Sequence, residues 1–164
     1  MRILVFSDSH SYLGLMRRSM ESLRPDCVIH LGDYARDGRE IAAEYPRIPF
    51  YQVPGNCDLY REQGDMPEIL IPEIDGVTLY LTHGHRHHVK MLTSLLLADA
   101  RSSGAAAALY GHTHMADCYQ EPDGLWVLNP GSCGMGGTVG LMETEKGRIH
   151  FCRILSGKEL EQWQ

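Results

Sequence analysis

The amino-acid sequence predicts an α/β protein whose second half is richer in antiparallel strands. In the first third of the chain, the apolar runs at residues 2–6, 27–31 and 50–53 have the length and composition of buried strands. Apolar residues recur at helical spacing within residues 12–23, and residues 38–45 are also expected to be helical. Strands and helices that alternate in this way favour a parallel sheet flanked by helices.

Turn signals mark shorter elements in the second half of the chain. The dipeptide Asp75-Gly76 is typical of a tight hairpin and predicts two strands within residues 68–82. Residues 105–110 are expected to form a strand because of the surrounding sheet, although their alanines favour a helix. The other expected elements are a helix over residues 88–102 with Gly104 as its C-cap, and short strands after residue 115.

Length, charge and hydropathy limit the classes of protein that this chain can represent. With 164 residues, we expect a single domain over residues 1–164. The formal net charge is −6 and no run of Lys or Arg stands out, which argues against binding to duplex nucleic acid. The N-terminal apolar run is too short for a signal peptide, and no run is long enough to span a bilayer. We therefore expect a cytoplasmic protein with no membrane segment.

The number and spacing of the cysteines also indicate a cytoplasmic protein. The chain has five of them, an odd number, and no pair has C-x-x-C spacing. Scattered cysteines in odd number are typical of reduced thiols in a cytosolic protein rather than of a disulfide framework.

Residues that commonly bind metals follow five of the strand-like runs. The carboxyl ends of parallel strands meet at one edge of a sheet, so these clusters are expected to converge there. If the backbone stays extended just beyond the strand, Asp8 and His10 point to the same side, as do His112 and His114. The candidate ligands are Asp8, His10, Asp33, Asn56, His83, His112 and His114.

Seven ligands are too many for one tetrahedral ion and suit two divalent ions that share a carboxylate. Carboxylate, amide and imidazole groups favour Mn²⁺, Fe, Zn²⁺, Ni²⁺ or Co²⁺. Two such ions, with two aspartates and a bridging hydroxide, leave a net charge of about +1, which attracts a phosphodiester anion even in an acidic protein. The chemistry expected of this centre is water-driven attack on a phosphate ester.

The ordered series of motifs resembles the signature of the calcineurin-like metallophosphoesterases, and in particular their small prokaryotic phosphodiesterase branch. Each motif is weak alone, but the ordered set is specific and covers residues 3 to about 132. The motifs are Asp8-x-His10, Gly32-Asp33, Gly55-Asn56-x-Asp58, His83-Gly84, Gly111-His112-x-His114 and Asn129-Pro130-Gly131-Ser132.

The resemblance implies a four-layer αββα sandwich of two mixed β-sheets flanked by helices. It also implies a first metal bound by Asp8, His10, Asp33 and His114, and a second bound by Asp33, Asn56, His83 and His112, with Asp33 bridging. The resemblance also implies Mn²⁺, which family members commonly use, and a hydroxide that would bridge the two ions and attack phosphorus. Asn56 and His83 would also shape the phosphate pocket.

One position departs from many members of the family. They have a histidine after the Gly-Asn pair, where it protonates the leaving oxygen, whereas this chain has Cys57. A thiol, with an ordinary pKa of about 8.5, is a less versatile general acid than imidazole. Leaving-group protonation is therefore expected from Cys57, from His85 nearby or from water.

Several other assignments remain open at the level of sequence. A protein-interaction scaffold of the same fold is the alternative from another class, and a phosphomonoesterase or nucleotide pyrophosphatase would use the same site. The expected partner is a small phosphate-ester substrate, and a homo-oligomer is possible. Asp58 is expected to orient a ligand or to cap the helix-like segment after it. His30 is expected in the core, whereas His87 and His88 are expected in a solvated loop.

Overall fold

The computed structural model describes residues 1–58 and 64–162 and contains two mixed β-sheets. The strands are β1 (Arg2–Phe6), β2 (Cys27–His30), β3 (Phe50–Gln52), β4 (Ile69–Leu70), β5 (Glu73–Ile74), β6 (Val77–Thr82), β7 (Ala107–Leu109), β8 (Asp117–Gln120), β9 (Trp126–Asn129), β10 (Thr138–Glu145) and β11 (Arg148–Ser156). The helices are α1 (Leu13–Leu23), α2 (Ala35–Glu44), α3 (Ser94–Ser102) and α4 (Gly157–Glu161), with a 3₁₀ turn at His85–His87.

The first sheet has the strand order β11-β10-β1-β2-β3, in which β1, β2 and β3 are parallel. The second has the order β4-β6-β7-β9-β8, in which β6, β7 and β9 are parallel, and β5 pairs with β6. Antiparallel strands complete both sheets, at β10 and β11 in the first and at β4 and β8 in the second. The prediction of mixed sheets is confirmed.

Hydrophobic side chains define four layers. The inner faces of the two sheets share one core, in which Ile3 and Ile29 of the first sheet pack with Leu79 and Leu109 of the second. The outer face of the first sheet packs against α1, α2 and α4. The outer face of the second sheet packs against α3, where Leu96 is fully buried. The order helices, sheet, sheet, helix is the αββα sandwich that the family resemblance implied.

In the second half of the chain, sheet pairing rather than helix propensity determines the structure of a short alanine-rich segment. The alanine-rich residues 107–109 form a strand because β7 is hydrogen-bonded on both sides, to β6 and to β9. The hairpin at Asp75-Gly76 is also confirmed, and both residues have positive φ, 53° and 73°, as a type I′ turn requires. Residues 68–82 nevertheless contain three strands rather than two, because β4 and β5 pair separately with β6.

Two helix predictions need correction. The helix expected over 88–102 begins only at Ser94, because His88 adopts a left-handed conformation with φ of 53° and ends a 3₁₀ turn instead of opening a helix. Its C-terminal end was predicted well: Gly104, with φ of 72°, allows the amides of Gly104 and Ala105 to donate to Arg101 and Ala100. Helix α2 begins at Ala35, three residues before the expected start at 38.

Helix α4 was not predicted, although the sequence carried a signal for it. Ser156 and Glu159 form a capping box, in which the Ser156 hydroxyl accepts from the Glu159 amide and the Glu159 carboxylate accepts from the Ser156 amide. Leu160 then packs into the core beside Leu15. Among the described residues, no helix is both long and apolar enough to cross a membrane.

Replacing Ser156 with Ala should lower the free energy of unfolding by about 1 kcal/mol, because the first turn of α4 loses its side-chain acceptor. Denaturant unfolding monitored by circular dichroism measures this change. Ser102→Ala, on the exposed surface of α3, is the matched control and should stay within about 0.5 kcal/mol of wild type. Equal losses in the two variants would contradict the capping role.

Candidate metal centre

The seven candidate ligands lie in loops that follow five strands of the two sheets. Asp8 and His10 follow β1, Asp33 follows β2, and Asn56 follows β3. From the second sheet, His83 follows β6, and His112 and His114 follow β7. Because these strands are parallel within each sheet, their carboxyl ends point to the same edge. The expected convergence of the loops is therefore present, and it joins the two sheets.

The backbone of these loops is not extended, so the reason given for the orientation of Asp8 and His10 was wrong. Five of the seven candidates have positive φ: Asp8 at 52°, His10 at 46°, Asp33 at 56°, His112 at 68° and His114 at 60°. Residues other than glycine adopt this region at a cost of about 1–3 kcal/mol each, and such strain is concentrated at functional sites. The left-handed backbone, rather than strand alternation, directs these side chains.

Glycines before the candidate ligands allow the loops to approach closely. A Cβ atom on Gly55 would lie 2.1 Å from Asp33 Oδ1, and one on Gly111 would lie 1.9 Å from Ser7 Oγ and 2.8 Å from Asp8 Oδ2. No side chain fits at either position. The pairing of Gly with a ligand residue in the sequence therefore reflects the space that the neighbouring loop occupies.

A first group of side chains forms a compact donor set. One ligand atom from each of Asp8, His10, Asp33 and His114 lies within 4.8 Å of all the others. The Nε2 atoms of His10 and His114 are 3.4 Å apart, and His114 Nε2 is 3.1 Å from Asp8 Oδ1. These are the four residues that the resemblance assigned to a first metal.

The carboxylate of Asp8 is oriented so that one oxygen is left for a cation. Its Oδ2 accepts hydrogen bonds from Ser7 Oγ at 2.5 Å and from the His112 amide at 3.1 Å. Its Oδ1 is buried and accepts no hydrogen bond among the described residues, since the nearby His114 Nε2 is not in hydrogen-bonding geometry. A buried carboxylate oxygen without a donor is costly unless a cation occupies the space beside it.

The second group is built around His83, whose tautomer follows from its surroundings. His83 Nδ1 lies 2.7 Å from the Leu31 carbonyl and must carry the proton that this contact needs. Burial lowers the pKa of His83 to about 4, so the ring is neutral and Nε2 has only a lone pair to offer. That lone pair faces Asp33 Oδ1 at 3.4 Å and Asn56 Oδ1 at 3.1 Å.

Three electron-pair donors that face one another in this way fit a metal ion and do not fit a hydrogen-bonded network, because none of them carries a proton to share. The ring of His112 lies 5.1 Å from that of His83, centroid to centroid, on the same side of the site. The residues present therefore fit a second cation beside Asp33.

Burial and like charge also disfavour ionisation of Asp8 in the metal-free protein. Burial, with a contribution from the neighbouring Asp33, raises the pKa of Asp8 to about 7. A divalent cation reverses both effects because it favours the ionised carboxylates.

Residues outside the predicted set hold the loops in place. Asn129 donates through Nδ2 to the Gly111 carbonyl and to Thr113 Oγ1, and its Oδ1 accepts from the Gly131 amide. Ser132 Oγ donates to the Asp8 carbonyl at 2.7 Å. The Asn-Pro-Gly-Ser motif had indicated only a family resemblance, and the structure gives it a supporting role at two ligand loops.

Asp37 supports the loop of Asp8 and His10. It is 3% exposed, and its Oδ2 accepts from Ser9 Oγ and from the Ser11 amide, both at 2.7 Å. Its other oxygen, Oδ1, forms an ion pair with the exposed side chain of Arg36 at 3.7 Å. The prediction that His30 belongs to the core is confirmed: its ring is fully buried between the Gly32 amide and Ser9 Oγ.

The two candidates for leaving-group protonation both border the site. The amide of Cys57 donates to Asp33 Oδ1 at 2.8 Å, and its thiol lies 3.4 Å from Asn56 Nδ2. Burial and the nearby Asp33 raise the pKa of this thiol to about 11. The half-buried ring of His85 lies 5.5 Å from that of His83 and 6.1 Å from that of His112, and burial lowers its pKa.

Two further expectations are settled by contacts. His87 is buried, not solvated, and its Nε2 lies 3.2 Å from both Tyr80 Oη and Asp99 Oδ2, whereas His88 is exposed as predicted.

Asp58 accepts hydrogen bonds from the amides of Ala35, at the start of α2, and Gly55. It therefore joins two ligand loops; the helix-like segment expected after it lies outside the described residues.

Comparison with known proteins identifies the family. The model of the calcineurin-like phosphoesterase superfamily domain matches residues 1–147, so the chain belongs to this superfamily. A probable metallophosphoesterase of Mycoplasma pneumoniae is 33% identical over 134 residues, covering 80% of this chain and 78% of the relative. A phosphodiesterase of Methanocaldococcus jannaschii is 28% identical over 167 residues, covering 89% and 95%.

Solved structures agree on the fold. A predicted phosphoesterase of Streptococcus pneumoniae superimposes with a TM-score of 0.77 at 26% identity, covering 96% of this chain and 90% of that one. A Vps29 variant of Entamoeba histolytica reaches a TM-score of 0.71 at 20% identity, covering 94% and 98%. This chain is thus a small member of the metallophosphoesterase superfamily and has a candidate metal-binding cluster.

Replacing Asp8 with Asn should change the pH dependence of stability in metal-free protein. The folded state holds the Asp8 proton up to about pH 7, whereas the unfolded chain releases it near pH 4. Between these values the folded state binds more protons, so this carboxyl makes wild type less stable as pH rises. The stability of Asp8→Asn relative to wild type should therefore increase from pH 4 to 7, by on the order of a few kcal/mol.

Thermal unfolding in EDTA across pH 4–8 measures the difference, and the histidines common to both proteins cancel. Asp65→Asn, at an exposed position, is the control and should run parallel to wild type. An Asp8→Asn curve that also runs parallel would show that the Asp8 carboxyl ionises as it does in the unfolded chain.

Proposed function

We propose that this protein is a binuclear metal-dependent phosphodiesterase. The observation that carries the proposal is the set of donor atoms around Asp33, in which a lone pair of His83 faces two oxygens and one oxygen of Asp8 has no hydrogen bond. Membership of the metallophosphoesterase superfamily supports phosphate-ester hydrolysis, and the relative called a phosphodiesterase supports a diester as the substrate.

The two ions would divide the donors between them. Asp8, His10, Asp33 and His114 would hold one ion, and Asp33, Asn56, His83 and His112 the other, with Asp33 shared. When bound, the pair of ions supplies an activated water and offsets the charge of the phosphate in the transition state. Mn²⁺ is the proposed metal, and Fe, Zn²⁺, Ni²⁺ and Co²⁺ suit the same oxygen and nitrogen donors.

Backbone groups of the protein fix the orientation of two of the ligand side chains. The Leu31 carbonyl fixes His83 with Nε2 towards Asp33, and the Cys57 amide fixes Asp33 from the opposite loop. Cys57, whose pKa is raised to about 11, would offer a proton to the leaving oxygen, but it is a weak acid for that purpose. His85 and water are the other proposed sources.

A complete donor set favours catalysis over a purely structural scaffold. All seven candidate ligands are present, and the backbone strain that holds five of them has no use in a scaffold. The likeness to Vps29 concerns the fold alone. We further propose that residues 1–164 act as one domain in the cytoplasm on a small phosphate-ester substrate.

Reconstituted protein should bind about two Mn²⁺ ions per chain, because the seven donors suit two ions that share a carboxylate. Asp33→Asn should keep the fold, since its side-chain oxygen still accepts from the Cys57 amide, but should lose at least one ion and nearly all turnover. Elemental analysis after gel filtration, with bis(p-nitrophenyl) phosphate turnover, measures both. Exposed Asp65→Asn is the control, and a single ion that supports full activity would contradict the binuclear site.

The rate should depend steeply on the basicity of the leaving group, because Cys57 gives little acid assistance. General acids commonly contribute about 10²–10⁴-fold, so kcat/KM should fall sharply from p-nitrophenyl to alkyl leaving groups. A series of aryl and alkyl diesters at fixed Mn²⁺ measures this dependence. If wild type shows a flat dependence and Cys57→Ala a steep one, Cys57 is an effective acid and our assignment is wrong.

A further inference from the structure

A pocket of about 550 Å³ adjoins the candidate metal centre on the side of the second sheet. Thr113, which lies in its wall, is the residue between the candidate ligands His112 and His114. The pocket therefore lies beside the loop that carries these two candidate ligands. Its volume lies within the range of pockets that hold small molecules and cofactors, about 300–1,000 Å³. The lining residues are Val89, Lys90, Tyr110, Thr113, Met115, Ala116 and Asp117.

The wall of this pocket combines apolar and charged groups. Met115 and Ala116 supply the exposed apolar surface, over the largely buried Val89 and Tyr110, and the side chain of Met115 is 74% exposed although it directly follows His114. A flat, apolar group that lies against these side chains would cover this surface. Methionine adapts its shape to such a group and makes favourable contacts with aromatic rings.

Lys90 and Asp117 are the charged residues of this wall. Among the residues that the structure describes, neither side chain forms a hydrogen bond or an ion pair, whereas Arg17, Arg86 and Arg101 are each paired with carboxylates. Because Lys90 and Thr113 line the same pocket, an anion bound by Lys90 would lie near the loop that carries His112 and His114.

We propose that this pocket binds the nucleotide-like part of a phosphodiester substrate, with Lys90 pairing with a second phosphate group on it. A nucleotide unit offers the three features that the wall matches: a planar base for the exposed Met115 and Ala116, hydroxyl or amino donors for Asp117, and an anion for Lys90. This proposal rests on the proposed function and adds the class of substrate.

The test compares two esters with the same leaving group and the same reacting diester. Thymidine 5′-(p-nitrophenyl phosphate) has no second phosphate, whereas its 3′-phosphorylated form has one. With Mn²⁺-loaded protein, wild type should prefer the 3′-phosphorylated ester by about fivefold in kcat/KM, the effect expected of one exposed ion pair. The ratio of the two esters removes effects that a variant has on the common chemistry.

Lys90→Gln should reduce this preference to about one, and Lys90→Arg should retain most of it. Lys158→Gln, at an exposed position on α4, is the matched control and should keep the wild-type preference. No preference in wild type, or an unchanged preference in Lys90→Gln, would overturn the proposal. Circular dichroism of each variant checks that the fold is intact.

A binding experiment separates failure of this proposal from failure of the proposed function. If no metal gives turnover of any ester, the proposed function is wrong, and the pocket is tested by calorimetric titration with thymidine 3′,5′-bisphosphate. Binding by wild type that weakens about fivefold in Lys90→Gln, but not in Lys158→Gln, supports the pocket. Absence of binding, or equal binding by all three proteins, overturns it.

Discussion

The crowding of electron-pair donors around Asp33 is the constraint on which the rest of the site depends. Asp8 and Asp33 contribute buried carboxylate oxygens, the buried and neutral ring of His83 contributes a lone pair, and the exposed Asn56 contributes an amide oxygen at the rim. Such a group repels itself unless a cation lies within it. The surrounding chain holds the donors in this arrangement through backbone contacts, among them the Leu31 carbonyl with His83 and the Cys57 amide with Asp33.

These contacts explain why the loops tolerate unusual backbone conformations. Each left-handed residue costs free energy, and the cost is offset by bonds from neighbouring loops, such as those of Asn129 and Asp37. The glycines that precede the candidate ligands contribute in a different way, because they remove side chains from places where two loops touch. Strain, close approach and supporting hydrogen bonds therefore occur together at one edge of the sandwich.

Sequence patterns located the candidate ligands well because the relevant signals are local. A strand followed by Gly and a polar residue can be recognised within a few positions, and the same is true of the turn at Asp75-Gly76. Features that depend on distant residues were not predictable in this way. Helix α2 begins early because Asp58, 23 residues later in the chain, accepts from the Ala35 amide, and His87 is buried by Tyr80 and Asp99.

The directions in which the side chains of the candidate metal centre point could also not be predicted from the sequence. Alternation along an extended strand was the natural rule for Asp8 and His10, but positive φ at both residues overrides it. The pocket beside Thr113 had no signal in the sequence, since its wall combines residues from the turn before α3, the end of β7 and the start of β8. These residues come together only when the strands of the second sheet pair.

The origin of the donors in both sheets has a consequence for how the protein folds. Asp8 and the amide of His112 are hydrogen-bonded although 104 positions separate them in the chain. Contacts of such long range form late, after the loop between them has closed. The complete donor set therefore exists only when the two sheets have docked face to face. A metal ion held by Asp8, Asp33 and His83 would bind only this last stage of assembly, and it would oppose separation of the two sheets at the edge where their ligand loops meet.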